Sequence, residues 1–240
     1  MVLEKIYDSV TWIENAYGGP GAIVWLGLGA ALLVAVVCYF LGCFNGAVIV
    51  SRYILHDDVR DHGSGNAGLT NFHRTFGGRF AVFVIACDAV KAVLSVLFGV
   101  WILGHVIGHG AEHLINIGKL WGGLFCLLGH SFPCMFQFKG GKGVLSGGVI
   151  AFMMDWRIGL IAWGGFILLV MLTRWVSLGS IWGGGCFPFA VCFFYQDVLL
   201  TVLALLCGGL LVVKHHANIK RILNGTESKF SFRHKKESGQ

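Results

Sequence analysis

The sequence predicts an all-α polytopic membrane protein of about seven transmembrane helices, with its N-terminus outside and its C-terminus cytoplasmic. Three observations lead there. The chain is 56% hydrophobic and only 12% charged, with a mean hydropathy of +0.75, outside the range of soluble domains. Its apolar runs approach the roughly 20 residues that a helix needs to cross a bilayer. Its Lys and Arg residues crowd into alternate connecting segments, the bias that sets orientation in a membrane.

The first twenty residues mix Glu4, Lys5, Asp8 and Glu14 with Leu3, Ile6, Val10, Ile13 and Tyr17. The apolar members recur every three or four residues beside Trp12. That spacing predicts an amphipathic helix over 1–20, lying on the membrane surface; a loosely packed extension is the alternative. No basic stretch precedes an apolar core, so no cleavable signal peptide is expected. Spans are expected at 23–50, 80–103, 120–136, 144–154, 159–172, 181–195 and 198–213. The fourth and fifth are short, and five or six crossings is the alternative count.

Of the 18 Lys and Arg residues, fourteen fall in the loop after the first span, the third-to-fourth and fifth-to-sixth loops, and the tail. Only Lys5, Lys119 and Arg157 fall on the other side, and Lys91 lies within a span. This distribution makes the first group cytoplasmic. No linker, repeat or low-complexity stretch divides the chain, which reads as one integral-membrane domain over 1–240 with a basic cytoplasmic tail over 215–240. The formal charge of +6 needs no nucleic acid: anionic headgroups and phosphorylated small molecules account for it. The eight cysteines lie in or beside apolar segments with no CxxC pair, so free thiols are expected. No histidine spacing suits a metal.

Three polar stretches, the first two rich in glycine, carry the chemistry, and all three fall on the predicted cytoplasmic face. The first is Asp61-His-Gly-Ser-Gly-Asn-Ala-Gly-Leu-Thr-Asn71, followed by Arg74. It gathers hydroxyl, amide and guanidinium donors where glycines let the backbone approach an anion. It also reads as a plain polar loop with turn glycines. The second runs from Gly129-His-Ser-Phe-Pro133 to Phe138-Lys-Gly-Gly-Lys-Gly143. It lacks the spacing of a Walker loop, but sets Lys142 between Gly141 and Gly143 where a helix begins, a place that attracts anions. A basic topology signal is the plainer reading. The third is His215-His-Ala-Asn-Ile-Lys-Arg221. Thr173-Arg-Trp-Val-Ser-Leu-Gly-Ser180 adds Ser180 near the start of a span, where a helix cap is the commoner role. Asp88 and Lys91 share one face of the second span and form either a functional or a neutralised structural pair. His56 and Asp61 fit an H-x-x-x-x-D pattern by coincidence.

Together these motifs resemble the bacterial inner-membrane acyl-phosphate:glycerol-3-phosphate acyltransferase family. The family's first block, approximately D-[IV]-R-x-x-G-S-G-N-x-G-A-T-N-x-x-R, corresponds to residues 58–74 here. Its second, G-H-x-F-P-x-x-x-x-F-x-G-G-K-G-V, corresponds to 129–144. The stretch 174–180 and the tail pattern H-x-x-N-I-x-R-[IL]-x-x-G-x-E, at 215–227, are also similar, in family order over residues 38–228. Leu69, Leu145, Ser146 and Ala92 depart from the pattern, and the N-terminal segment is longer than usual.

The resemblance implies transfer of an acyl group from acyl phosphate to glycerol 3-phosphate, giving 1-acyl-glycerol 3-phosphate as the first step of phospholipid synthesis, without a cofactor or metal. It implies Lys142, Ser180, Arg74 and Ser64 as catalytic residues. It implies Asn66, Asn71, Gly141, Gly143, His215, Asn218 and Glu227 as substrate- or phosphate-binding and supporting residues. The implied location is the bacterial inner membrane with the site on its cytoplasmic face; the implied partners are both substrates, membrane lipids and an enzyme that supplies acyl phosphate. An acyl-CoA or acyl-carrier-protein donor is the nearer alternative. A transporter of organic phosphate anions is the alternative of a different class, but it should show inverted repeats and a polar path across the membrane.

Overall fold

The computed structural model describes residues 20–230, and its regular elements there are all helical. The expected N-terminal surface helix, and residues 231–240 of the basic tail, lie outside the described residues. Helix α1 (Pro20–Cys43) stops at Phe44, and Asn45 caps the next short helix, α2 (Gly46–Ile49), by accepting from the Val48 N–H. A π-helical turn carries α2 on to Ile54. The expected span at 23–50 is therefore two helices with a break, because an amide side chain inside an apolar run found a backbone donor.

After a loop come α3 (Leu69–Phe76) and α4 (Ala81–Gly99), which continues as a π-helical segment to Ile107. The expected third span shifts towards the N-terminus: α5 is Glu112–Ser131. Its polar first half, with Glu112, Asn116 and Lys119, did not read as a span, and Pro133 ends the helical path. Helix α6 (Val144–Met154) has the expected bounds. Helices α7 (Trp156–Thr173), α8 (Val176–Tyr195) and α9 (Val198–Lys214) follow, with α10 (His216–Leu223) bent away at His215. Asp155 and Asp197 start α7 and α9 by accepting from the Arg157 and Leu200 N–H groups at 2.8 and 2.9 Å. Helix α3 falls in the expected first loop and α10 in the expected basic tail, where eight residues are too few for an apolar period to stand out.

Four helices among the described residues are long and apolar enough to cross a membrane: Val24–Ile54, Ala81–Ile107, Trp156–Thr173 and Val176–Tyr195. Val198–Lys214 with His216–Leu223, bent by 55°, makes a fifth. By length and composition alone, four or five crossings are marked among the described residues, against an expected seven. The shortfall is α5, with its charged first half, and α6, whose 11 residues reach about 16 Å against a hydrocarbon core of about 30 Å.

The interior packs around Leu120, Ile150, Met154, Ile158, Leu200 and Leu203. Glycines bring helices into backbone contact. A Cβ at Gly99 of α4 would strike the Gly118 carbonyl of α5, and one at Gly118 the Gly99 carbonyl, the close approach typical of membrane helices. Large apolar side chains such as Trp25, Phe83, Met171, Phe189 and Phe193 point outward, as a lipid-facing surface requires.

Candidate active site

The three polar segments, distant in sequence, meet around one cleft of about 1120 Å³. In the first, Asp58 starts a 3₁₀ turn (Val59–Asp61) by accepting from the Arg60 N–H. Gly63 and Gly65, at φ of +58° and +68°, then turn the chain towards α3, a left-handed backbone that glycine adopts without strain. Asn71 braces this loop. Its Oδ1 accepts from the Ser64 N–H at 3.0 Å, and its Nδ2 donates to the Val59 and His62 carbonyls at 2.9 and 3.0 Å. Ser64, Asn66 and Arg74 are left lining the cleft.

Arg60 locks the first segment to the second. It grips both Asp58 oxygens and donates to the Phe136 and Lys139 carbonyls at 2.9 and 3.3 Å. Gly141 sits behind the wall: its N–H donates to the His130 carbonyl at 3.1 Å, and a Cβ there would strike the His130 ring and the Ala67 carbonyl. Gly141 therefore supports the loop and does not turn its N–H to the cleft. Gly143, at φ +77°, turns the chain into α6, and Lys142 between them donates to Asn218 Oδ1. Burial, reinforced by the nearby charge of Arg221 and opposed by Glu227, pushes the Lys142 ammonium down to about 8.

The third wall is organised by Glu227. Its carboxylate accepts from Ser177 Oγ and Asn218 Nδ2, both at 2.7 Å, and from Arg221 Nε at 2.6 Å. Burial opposes its charge, but these bonds outweigh it and hold the carboxyl below its ordinary value. His215, buried at the bend after α9, donates its Nδ1 proton to the Leu211 carbonyl at 2.8 Å, which leaves Nε2 as an acceptor. Ser180 lies inside the first turns of α8 and bonds back to the Val176 carbonyl at 2.8 Å; it is not the cap of that helix.

Ten of the eleven expected site residues thus line the cleft or, like Asn71 and Glu227, also brace it; Gly141 alone stands behind. Thr70, His73, Asp88, His130, Arg174, Ser177 and Arg221 line it too. Of these, Thr70, His73, His130, Arg174, Ser177 and Arg221 sit in stretches that the sequence marks, and Asp88 in the intramembrane pair. Four cationic side chains, Arg74, Lys142, Arg174 and Arg221, face the cleft. Its two carboxylates, Asp88 and Glu227, are paired to Lys91 and Arg221 at 2.7 and 2.6 Å. The potential is therefore positive and draws anions. At Val144, Trp163, Phe166 and Ser180 the cleft continues into a narrow apolar slot between α6, α7, α8 and α9.

A helical membrane bundle with a cationic cleft leading into an apolar slot defines the class: an integral membrane protein with a site for charged and apolar groups side by side. The chain belongs to the glycerol-3-phosphate acyltransferase family, whose model matches residues 32–225. It is 36% identical over 199 residues to the glycerol-3-phosphate acyltransferase of Thermoanaerobacter sp. (strain X514), covering 83% of this chain and 95% of that protein. The counterpart in Clostridioides difficile (strain 630) is 37% identical over 202 residues, 82% and 94% of the two chains. The structure of this chain is similar to that of PlsY (YgiH), an integral membrane glycerol 3-phosphate acyltransferase. The glycerol 3-phosphate form of PlsY matches with a TM-score of 0.71 and 28% identity, over 84% of this chain and 96% of that one. The lysophosphatidic acid form matches with a TM-score of 0.69 and 27% identity.

Proposed function

We propose that this protein transfers a fatty acyl group from acyl phosphate to glycerol 3-phosphate at the cytoplasmic face of a bacterial inner membrane. The observation that carries the reading is the junction of a four-cation cleft with an apolar slot. Both substrates bear phosphate, and only one bears a long chain. In the reaction the glycerol hydroxyl oxygen bonds to the acyl carbon. The acyl carbon–oxygen bond to phosphate breaks, phosphate leaves with the electron pair, and the hydroxyl proton, accepted at His215 Nε2, passes on to the departing phosphate. Lys142 and Arg74 hold phosphate oxygens, and Lys142 meets the charge that grows on the leaving group. Ser64, Asn66 and Ser180 orient the substrates. His215 accepts from the attacking hydroxyl, and Asn71, Asn218 and Glu227 keep these groups in register. Holding two reactants in one geometry supplies much of the rate, since acyl phosphate is already activated.

The donor is tested with purified protein in detergent, given glycerol 3-phosphate and, separately, acyl phosphate, acyl-CoA or acyl-carrier protein. Turnover is expected with acyl phosphate alone, undiminished by chelator. Turnover with acyl-CoA and none with acyl phosphate rejects the donor assignment.

The proposed topology is seven crossings within one domain over 1–240, with α5 and α6 each crossing and the N-terminus outside. A reporter fused after Gln240 should then read cytoplasmic, and a cysteine introduced at His109 should react with an impermeant reagent added from the periplasm. Labelling at 109 only after permeabilisation shows that the number of crossings before it is wrong.

A further inference from the structure

Asp88, Lys91 and His130 form a buried group that none of the roles above uses. Each is at most 4% exposed, and Asp88 and His130 line the cleft. The Lys91 ammonium has three protons to donate. It directs them to Asp88 Oδ1 at 2.7 Å, to His130 Nδ1 at 2.7 Å, and to the Phe44 carbonyl at 3.0 Å, with the Gly42 carbonyl at 3.3 Å. An ammonium paired to a carboxylate cannot accept a hydrogen bond. Nδ1 of His130 is therefore the acceptor nitrogen, and the ring proton resides on Nε2.

The rest of the network holds this arrangement still. Asp88 Oδ1 also accepts from the Gly46 N–H at 3.3 Å, and the Asp88 carbonyl accepts from Ser146 Oγ at 2.9 Å. The network thus ties α4 to the α1–α2 break and to α6. Nε2 stands against Gly141, one residue before Lys142, where a Cβ would collide with it. Among the described residues no acceptor is bonded to this Nε2. His130 lines the cleft, so the N–H at Nε2 is open to an acceptor there beside Lys142, and a phosphate oxygen held by that lysine supplies one.

We propose that His130 is a catalytic residue. Asp88 and Lys91 lock its imidazole with the proton on Nε2, and that N–H donates to a phosphate oxygen of the substrate held by Lys142. The donor is uncharged and preset, so it needs no reorganisation as charge shifts in the transition state. The ammonium behind the ring polarises the N–H and strengthens it. The assignment rests on the cleft being a site for phosphorylated substrates.

Two variants separate contact from scaffolding. The side-chain amide nitrogen of His130→Gln reaches the place of Nε2. His130→Asn reaches only the place of Nδ1, so it keeps an acceptor for Lys91 and removes the donor to the cleft. With both purified and checked for wild-type thermal unfolding, His130→Asn is expected to lose roughly ten- to hundredfold in kcat/KM, the scale of one hydrogen bond to a charged group. His130→Gln should recover part of that loss. A ring that only accepts from Lys91 predicts the reverse order, and that result overturns the proposal.

Magnetic resonance of ¹⁵N-histidine-labelled protein reads the tautomer independently of turnover, with the His130 signals assigned by their loss in His130→Asn. The expected result is a protonated Nε2 whose proton shifts when inorganic phosphate or glycerol 3-phosphate is added. A proton on Nδ1, or no response to either ligand, overturns the proposal. If the wild-type protein fails to acylate glycerol 3-phosphate while the Nε2 proton still shifts with inorganic phosphate, the acyl-transfer reading falls and the donor stands.

Discussion

Lys142→Ala is expected to cut turnover by roughly a hundredfold or more, the scale of losing one strong electrostatic contact in a preorganised site. The side chain enters the cleft between Gly141 and Gly143 with Asn218 as its protein partner, and the remaining donors of its ammonium are available to substrate phosphate. Lys142→Arg should restore activity only in part, because a planar fork does not reproduce a compact ammonium in that space. A lysine needed only for topology predicts full activity in the arginine variant and reduced insertion in the alanine variant. Equal amounts of folded protein, assayed side by side in detergent, separate the two. The pH profile adds a second readout. In the free enzyme the Lys142 ammonium is lost as pH rises through about 8, so kcat/KM should fall over that range. The arginine variant stays charged there and should lack the descending limb. Near wild-type turnover in Lys142→Ala would remove Lys142 from the site.

The second large effect is on stability. Lys91→Met leaves the Asp88 carboxylate buried with its cationic partner gone, and breaking a buried pair from one side typically costs about 3–5 kcal/mol. Asp88 is 3% exposed, and its Oδ1 then keeps the Gly46 N–H at 3.3 Å and the His130 ring nitrogen Nδ1 at 3.6 Å, neither of which replaces the ammonium at 2.7 Å. Thermal unfolding in detergent without ligand should show a marked fall. The double variant Asp88→Asn with Lys91→Met should recover much of it, since neither side then carries an unpaired charge. Equal loss in the single and double variants would mean that packing, not charge, sets the cost.

Much of this molecule was legible in its residues because the membrane imposes strong local rules. Helix α6 came out with its full bounds because an apolar run between glycine and Asp155 leaves no other solution in lipid. Residues that line the cleft were legible for a different reason: Ser64, Arg74, Lys142, His215 and Asn218 are polar groups in motifs whose order is characteristic of the family. The start of α5 was not legible, because Glu112, Asn116 and Lys119 look like loop until neighbouring helices and the Met154 carbonyl, which accepts from Lys119 at 3.2 Å, give them partners. Nor were α3 and α10, whose amphipathic turns are stabilised by the walls they complete. By itself the sequence determined that the chain is a helical membrane protein of this family, since apolar length and motif chemistry are local properties. Only the tertiary structure decided that Gly141 lies behind the wall, that Ser180 is inside its helix, that Glu227 organises Asn218 and Arg221, and that Lys91 reaches His130 across 39 residues of chain. Those are relations between distant segments, set by how the helices pack, and no local pattern encodes them.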